Sequence, residues 1–257
     1  MKFIVPLLFV TTLFCDSTKA ENITYDFLVE TGEMTGDCDH IPVFEKILET
    51  IKVRTLLEFG LGYSTKYFLD TCSKVISVEF VSTTWETDWI KECLNLYRGS
   101  SNWVPVVYFS NFNGDFSWAP YKYHGSDALY RARYFFILTG QSYADFDRSY
   151  QNEMQFFLSM LTKYNTIDVA FVDSGMVLRA DIVQVLFEKI PVILANDTKP
   201  SYLEQNPYGL ASLQVPANYE EIRISRGVGT TVWVKKTEEL APLIQALKNG
   251  SSEAQPD

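Results

Sequence analysis

The sequence predicts an α/β chain built on a doubly wound, seven-stranded, mostly parallel sheet. Helices cover both faces, and an antiparallel hairpin closes the C-terminal edge. Three observations predict it. Strand-like and helix-like segments alternate five times between residues 42 and 197, the pattern of a parallel sheet wrapped by its own crossovers. The strand-like segments are short, continuous apolar runs rather than alternating ones, as strands buried on both faces are. Two strands then follow each other closely, 220–225 and 230–236, joined by "RGVG".

The elements come in order. In "PVFEKILETIK", 42–52, Val43, Ile47, Leu48 and Ile51 recur at helical spacing, with Pro42 in the first turn. "RTLLEF", 54–59, reads as a buried strand, "YSTKYFLDTC", 63–72, as a helix and "KVISVEF", 74–80, as the next strand. Residues 83–99 are amphipathic, with Trp85, Trp89, Ile90 and Cys93 on one side and Gly99 as the stop. "WVPVVYFS", 103–110, is a strand with an irregular start at Pro105. Further on, helices are predicted at 148–164, 177–190 and 238–249, and strands at 167–173 and 191–197.

Residues 111–147 break the rhythm. They mix Phe112, Phe116, Trp118, Tyr121, Tyr123, Tyr130 and Tyr134 with Gly, Asn, Ser and Asp, and show no clear period. A stretch this long inside a domain reads as an insertion or a functional loop. Its rings suit either a substrate pocket or lid, or a satellite core under the loop.

The 257 residues suit one such domain, 21–250, with that insertion and a polar tail at 251–257. The formal charge is −10. No basic cluster offsets it, so nucleic acid is not an expected partner, and neither is an anionic membrane. The acidity serves solubility or a cationic ligand.

The first twenty residues, "MKFIVPLLFVTTLFCDSTKA", read as a signal peptide. Lys2 supplies the positive start and Phe3 to Phe14 the apolar stretch, which is too short to span a bilayer. Thr18 and Ala20 give a small-residue cleavage site before Glu21. Lys2, Lys19 and Asp16 leave with it, so the remaining chain carries −11. Export without a stable membrane insertion is the expectation. Of four cysteines, Cys38, Cys72 and Cys93 then remain, which allows one disulfide at most. With only His40 and His124 as histidines, a structural zinc site is not expected. Sequons stand at Asn22, Asn196 and Asn249.

The stretch "LEFGLGYST", 57–65, carries the chemistry. Gly60 and Gly62 follow a buried strand, where a doubly wound sheet places its ligands. They allow a sharp turn and a close approach of backbone to ligand. The helix that follows turns its N–H groups toward the same place, and Ser64 either caps it or meets a ligand carboxylate. Glu79, nineteen residues after Gly60, ends the next strand, where an acid accepts hydrogen bonds from ribose hydroxyls. Thr65 stands where a dinucleotide site would want a third glycine, which favours a mononucleoside ligand. Each acid also has a purely structural reading: Glu58 satisfied by nearby backbone, Glu79 an exposed strand-end charge.

With "LEFGLGYST", Glu79 and a later "FVD" at 171–173, the chain resembles the class I S-adenosylmethionine-dependent methyltransferases. The resemblance implies that Glu58, Gly60, Gly62 and Ser64 hold the methionine end of the cofactor, Glu79 the ribose and Asp115 the adenine amine. Asp173 would face the methyl group and a small-molecule acceptor. In one respect the chain is similar to the cation-dependent O-methyltransferases, which hold a divalent metal with acids ending the fourth and following the fifth strand. Here Asp173 is followed by "ANDT", 195–198, with the Asn-Asp order reversed. Asp197 therefore has three readings: a metal ligand, a general base, or a turn residue. His124 is a further candidate base. His40 either gates the cofactor or lies in a helix start capped by Asp39.

An exported methyltransferase is separated from a cofactor made in the cytosol. The alternative to an enzyme is thus an exported binding protein on the same scaffold.

Overall fold

A computed structural model describes residues 40–82, 86–139, 148–163, 165–174, 179–187, 189–199 and 208–252. The expected leader at 1–20, Asp39, Trp85 and residues 253–257 of the expected tail lie outside the described residues.

Eight strands form one sheet: β1 (Thr55–Phe59), β2 (Lys74–Val81), β3 (Trp103–Phe109), β4 (Tyr121–His124), β5 (Val169–Val172), β6 (Val192–Asn196), β7 (Tyr219–Ile224) and β8 (Thr230–Lys235). Their order is β4-β3-β2-β1-β5-β6-β8-β7. The first six run parallel, and β8 pairs antiparallel with both β6 and β7. The predicted hairpin is therefore present, with β7 as the edge. The helices are α1 (His40–Thr50), α2 (Ser64–Thr71), α3 (Glu86–Leu96), α4 (Ala128–Thr139), α5 (Arg148–Lys163), α6 (Arg179–Leu186) and α7 (Ala241–Ser252).

All five residues of β1 are buried, as are those of β5 and β6, because helices cover both sides of the sheet. The two-residue period of a strand sends Leu57 and Phe59 to one face, where they join Ala132 of α4, Met154 and Phe157 of α5 and Ile182 and Leu186 of α6. Leu56 goes to the other face, with Phe44 and Ile47 of α1, Phe68 of α2, Ile90 of α3 and Leu243 and Leu247 of α7. Each such side chain stabilises the fold by about 1.5–3 kcal/mol on burial. Glu58 shares the second face, and in register it lies between Ser77 of β2 and Phe171 of β5.

The eighth strand and α4 both fall inside residues 111–147, which were expected to lack regular structure. β4 adds four residues to the outer side of β3, starting opposite Val106, so Pro105 precedes the pairing that a proline cannot make. Among the described side chains of α4, Ala128, Leu129 and Ala132 are buried, while Tyr134 and Leu138 are exposed. That arrangement gives no helical period to read. Several of the aromatic residues form a satellite cluster: the rings of Phe112, Phe116, Trp118 and His124 gather 5.2–5.8 Å from Phe109.

Cys72 and Cys93 are buried free thiols. Asn196 is 2% exposed, so this sequon offers no glycan acceptor in the folded chain. Among the described residues no helix is long and apolar enough to cross a membrane.

Candidate functional site

The exits of β1, β2, β5 and β6 meet at one end of the sheet. Gly60 leaves β1 with φ +100 and donates its N–H to the carbonyl of Val78. A Cβ on Gly60 would stand 2.6 Å from the carbonyl oxygen of Asp173, so two backbones touch here and only glycine fits. At Gly62 a Cβ would meet nothing within 4 Å. The protein itself thus does not require glycine at 62, and the open space beside it is where a ligand would.

The loop between them is fastened on every side. Leu61 donates its N–H to Glu79 Oε2 at 2.7 Å, and its carbonyl accepts from the indole of Trp89 at 2.9 Å. Gly62 donates its N–H to Thr65 Oγ1 at 3.1 Å, and its carbonyl accepts from Tyr97 Oη at 2.7 Å. These bonds fix the loop before any ligand arrives.

Glu58 is fully buried. Thr65 Oγ1 donates to its carboxyl at 2.9 Å and Ser77 Oγ at 2.6 Å, and Trp103 Nε1 in turn donates to Ser77 Oγ at 2.9 Å. Burial pushes the Glu58 carboxyl up to about 8, against the pull of the Ser77 and Thr65 hydroxyls. Glu58 therefore sits beneath the loop and orders it through Thr65. Glu79 is partly buried on the same face of β2. Burial raises it to about 7, while the N–H groups of Leu61 and Phe80 favour its charge. Ser64 is buried at the start of α2, whose N-cap position is Tyr63.

At the exits of β5 and β6, Asp173 and Asp197 converge on Arg179, which starts α6. Arg179 Nη2 is 2.8 Å from Asp173 Oδ1 and Nη1 is 2.7 Å from Asp197 Oδ2. The same guanidinium donates to the carbonyls of Ser174 at 3.0 Å and Asn196 at 2.9 Å, and stacks 4.0 Å from the ring of Tyr208. Its side chain is 5% exposed, against 27% for Asp173 and 20% for Asp197. Asp197 takes φ 57, the left-handed conformation that Asp tolerates in turns. The carboxylates that the resemblance offered to a metal are thus already bound by a guanidinium. The donor set does not fit a divalent ion, which wants those oxygens for itself. Among the described residues, no group of three or more His, Cys, Asp and Glu is placed to hold a metal.

Asp115 and His124 stand apart from these groups. Asp115 is exposed and accepts from the N–H and hydroxyl of Ser117 at 2.9 and 3.0 Å, closing a turn. Those bonds hold its carboxyl below the usual range. His124 ends β4, three strands from β1, exposed against Phe116 and Phe109. His40, by contrast, lies close to the cleft. It starts α1, is 2% exposed and rests on Phe171 with ring centroids 4.4 Å apart. Neither of its nitrogens has a hydrogen-bond partner among the described residues. Burial, aided by the charge of Arg179, holds it down to about 3.

Among the contributors that escaped the sequence reading are Thr65, Ser77, Arg133 and Arg179. Thr65 was read only as a missing glycine. Arg133 of α4 pairs with Glu86 and donates to Ser82 Oγ at 2.9 Å, tying the insertion to the exit of β2.

No protein-family model matches the sequence, and no curated protein matches it. Solved structures do match. A candidate caffeoyl-CoA O-methyltransferase from Staphylococcus aureus superposes with a TM-score of 0.50 at 11% identity, over 83% of this chain and 93% of that one. An O-methyltransferase from Bacillus cereus, solved with SAH, gives 0.49 at 13% identity over 84% and 92%. One from Streptomyces achromogenes, involved in tomaymycin synthesis and solved with SAM, gives 0.42 at 11% over 79% of each chain. The fold is that of the class I methyltransferases. At such identities the likeness concerns the fold, and the first structure carries it.

Proposed function

We propose that the chain is an S-adenosylmethionine-dependent methyltransferase that methylates a small molecule on oxygen. One observation carries the reading: the glycine loop is locked to Glu79 while the space beside Gly62 stays open. That is a cradle with an acid at its rim, and it fits the cofactor. The bound cofactor would supply the methyl group. Glu79 keeps lone pairs for two ribose hydroxyls, and the Gly62 side admits the methionine portion without a Cβ in the way. Asp173 and Asp197 face the acceptor side. Ion-paired to Arg179, each would accept a hydrogen bond from the acceptor's hydroxyl. That bond orients the oxygen for in-line attack.

The test is calorimetric titration of the chain with S-adenosylmethionine and its demethylated product, with Gly62→Val beside the wild type. Saturable binding by the wild type, lost in the variant, supports the reading. A folded wild type that binds neither compound overturns it.

The first twenty residues favour a second reading, an exported binding protein on this scaffold. It is distinguished by cofactor-independent capture of a small molecule and by absence of methyl transfer when the cofactor is bound.

A further inference from the structure

Arg179 is engaged through all three nitrogens of its guanidinium. It reaches two carboxylates and two carbonyls at 2.7–3.0 Å, almost wholly shielded from water. Tyr208 closes one flat face of the guanidinium. A planar fork suits this task, since it bonds several oxygens in one plane at once. Asp173 and Asp197 belong to different strands, and Asn196 and Ser174 flank them. One side chain thus gathers the exits of β5 and β6.

We propose that Arg179 is the resident cation of the strand-end site. It holds the place between Asp173 and Asp197, and the site works without a divalent ion there. The proposal rests on the reading of the cleft as a methyltransferase site. A divalent ion at this place would have to displace the guanidinium from one oxygen of each carboxylate. It would then lie beside a buried positive charge that has lost its partners. Removing the guanidinium reverses the situation. Two carboxylates are left at neighbouring strand exits with no guanidinium between them. That set of oxygens is what a hard divalent ion takes.

The experiment is a titration of the full chain with Mn²⁺, read by the loss of the free-ion signal in electron paramagnetic resonance. The wild type is expected to show no saturable site that depends on Asp173 or Asp197. Arg179→Met is expected to gain one site per chain, at least tenfold tighter than any wild-type binding, and to lose it again when Asp173→Asn is added. A wild-type site that Asp173→Asn or Asp197→Asn abolishes overturns the proposal, and this arm holds even where Arg179→Met fails to fold. Titration of the same samples with S-adenosylmethionine keeps the two readings apart. Loss of cofactor binding in the wild type would sink the functional reading and leave the Mn²⁺ result standing.

Discussion

Thr65 donates its hydroxyl to the buried carboxyl of Glu58 at 2.9 Å and accepts the N–H of Gly62 at 3.1 Å. One side chain thus links a strand acid to the loop that the strand feeds. Thr65→Val keeps the shape and removes both bonds. It leaves a buried carboxyl short of a donor, so the expected loss of stability is about 1–3 kcal/mol, measured by urea denaturation. Cofactor affinity should weaken as well, because the loop loses an anchor. Unchanged stability would mean that Ser77 alone satisfies Glu58.

Gly60 and Gly62 should respond differently to alanine. At Gly60 the left-handed backbone alone costs about 1–2 kcal/mol, and the contact with the Asp173 carbonyl adds to it. Gly60→Ala should therefore lower the melting temperature clearly. Gly62→Ala should melt with the wild type, since its Cβ enters open space, yet bind the cofactor more weakly. Equal melting temperatures for all three chains would contradict the close approach at Gly60.

Stability should depend on pH through two carboxyls and an imidazole acting in opposite senses. The Glu58 carboxyl rises from 4.5 to about 8 on folding, so its contribution is complete below pH 4.5 and is lost as pH rises through 8. Glu79 adds to that decline up to about 7. The His40 imidazole falls from 6.5 to about 3, so its contribution is present above 6.5 and is lost as pH falls toward 3. Between 4.5 and 6.5 the two partly cancel; above 6.5 the carboxyls act alone. Urea midpoints across this range should show Glu58→Gln flattening the alkaline limb and His40→Phe the acid limb. A Glu58→Gln chain with the wild-type alkaline slope would refute the first assignment.

Arg133 anchors α4 to the exit of β2 through Glu86 and Ser82. Arg133→Met leaves Glu86 buried without its cation and should cost about 1–3 kcal/mol. Limited proteolysis should then cut near α4 sooner than in the wild type. An unchanged cleavage pattern would mean that the apolar stripe of Ala128, Leu129 and Ala132 suffices to hold the helix.

Much of this architecture was legible in the sequence because it rests on local chemistry. A run such as "TLLEF" must be a covered strand, and glycines at its exit must serve a turn. The turn reading of Asp197 matches its left-handed backbone, a preference carried by the residue type. What stayed hidden depends on distant pairings. Arg179 acts through the carbonyls of Ser174 and Asn196, and a carbonyl has no signature in a sequence. Ser77 gains its meaning only from a register that sets it beside Glu58. β4 was missed because four residues on an outer strand, three of them exposed, bury too little to show a period.

Gly60 and the carbonyl of Asp173 touch with no side chain between them, and Asp173 also donates its N–H to Phe59. The exits of β1 and β5 therefore share a mechanical joint, stiff because it is backbone on both sides. Displacement at one exit is passed to the other without a rotamer to absorb it. Whatever coupling free energy this joint carries is reciprocal: an acceptor that tightens cofactor binding by some factor must itself be tightened by the cofactor by the same factor.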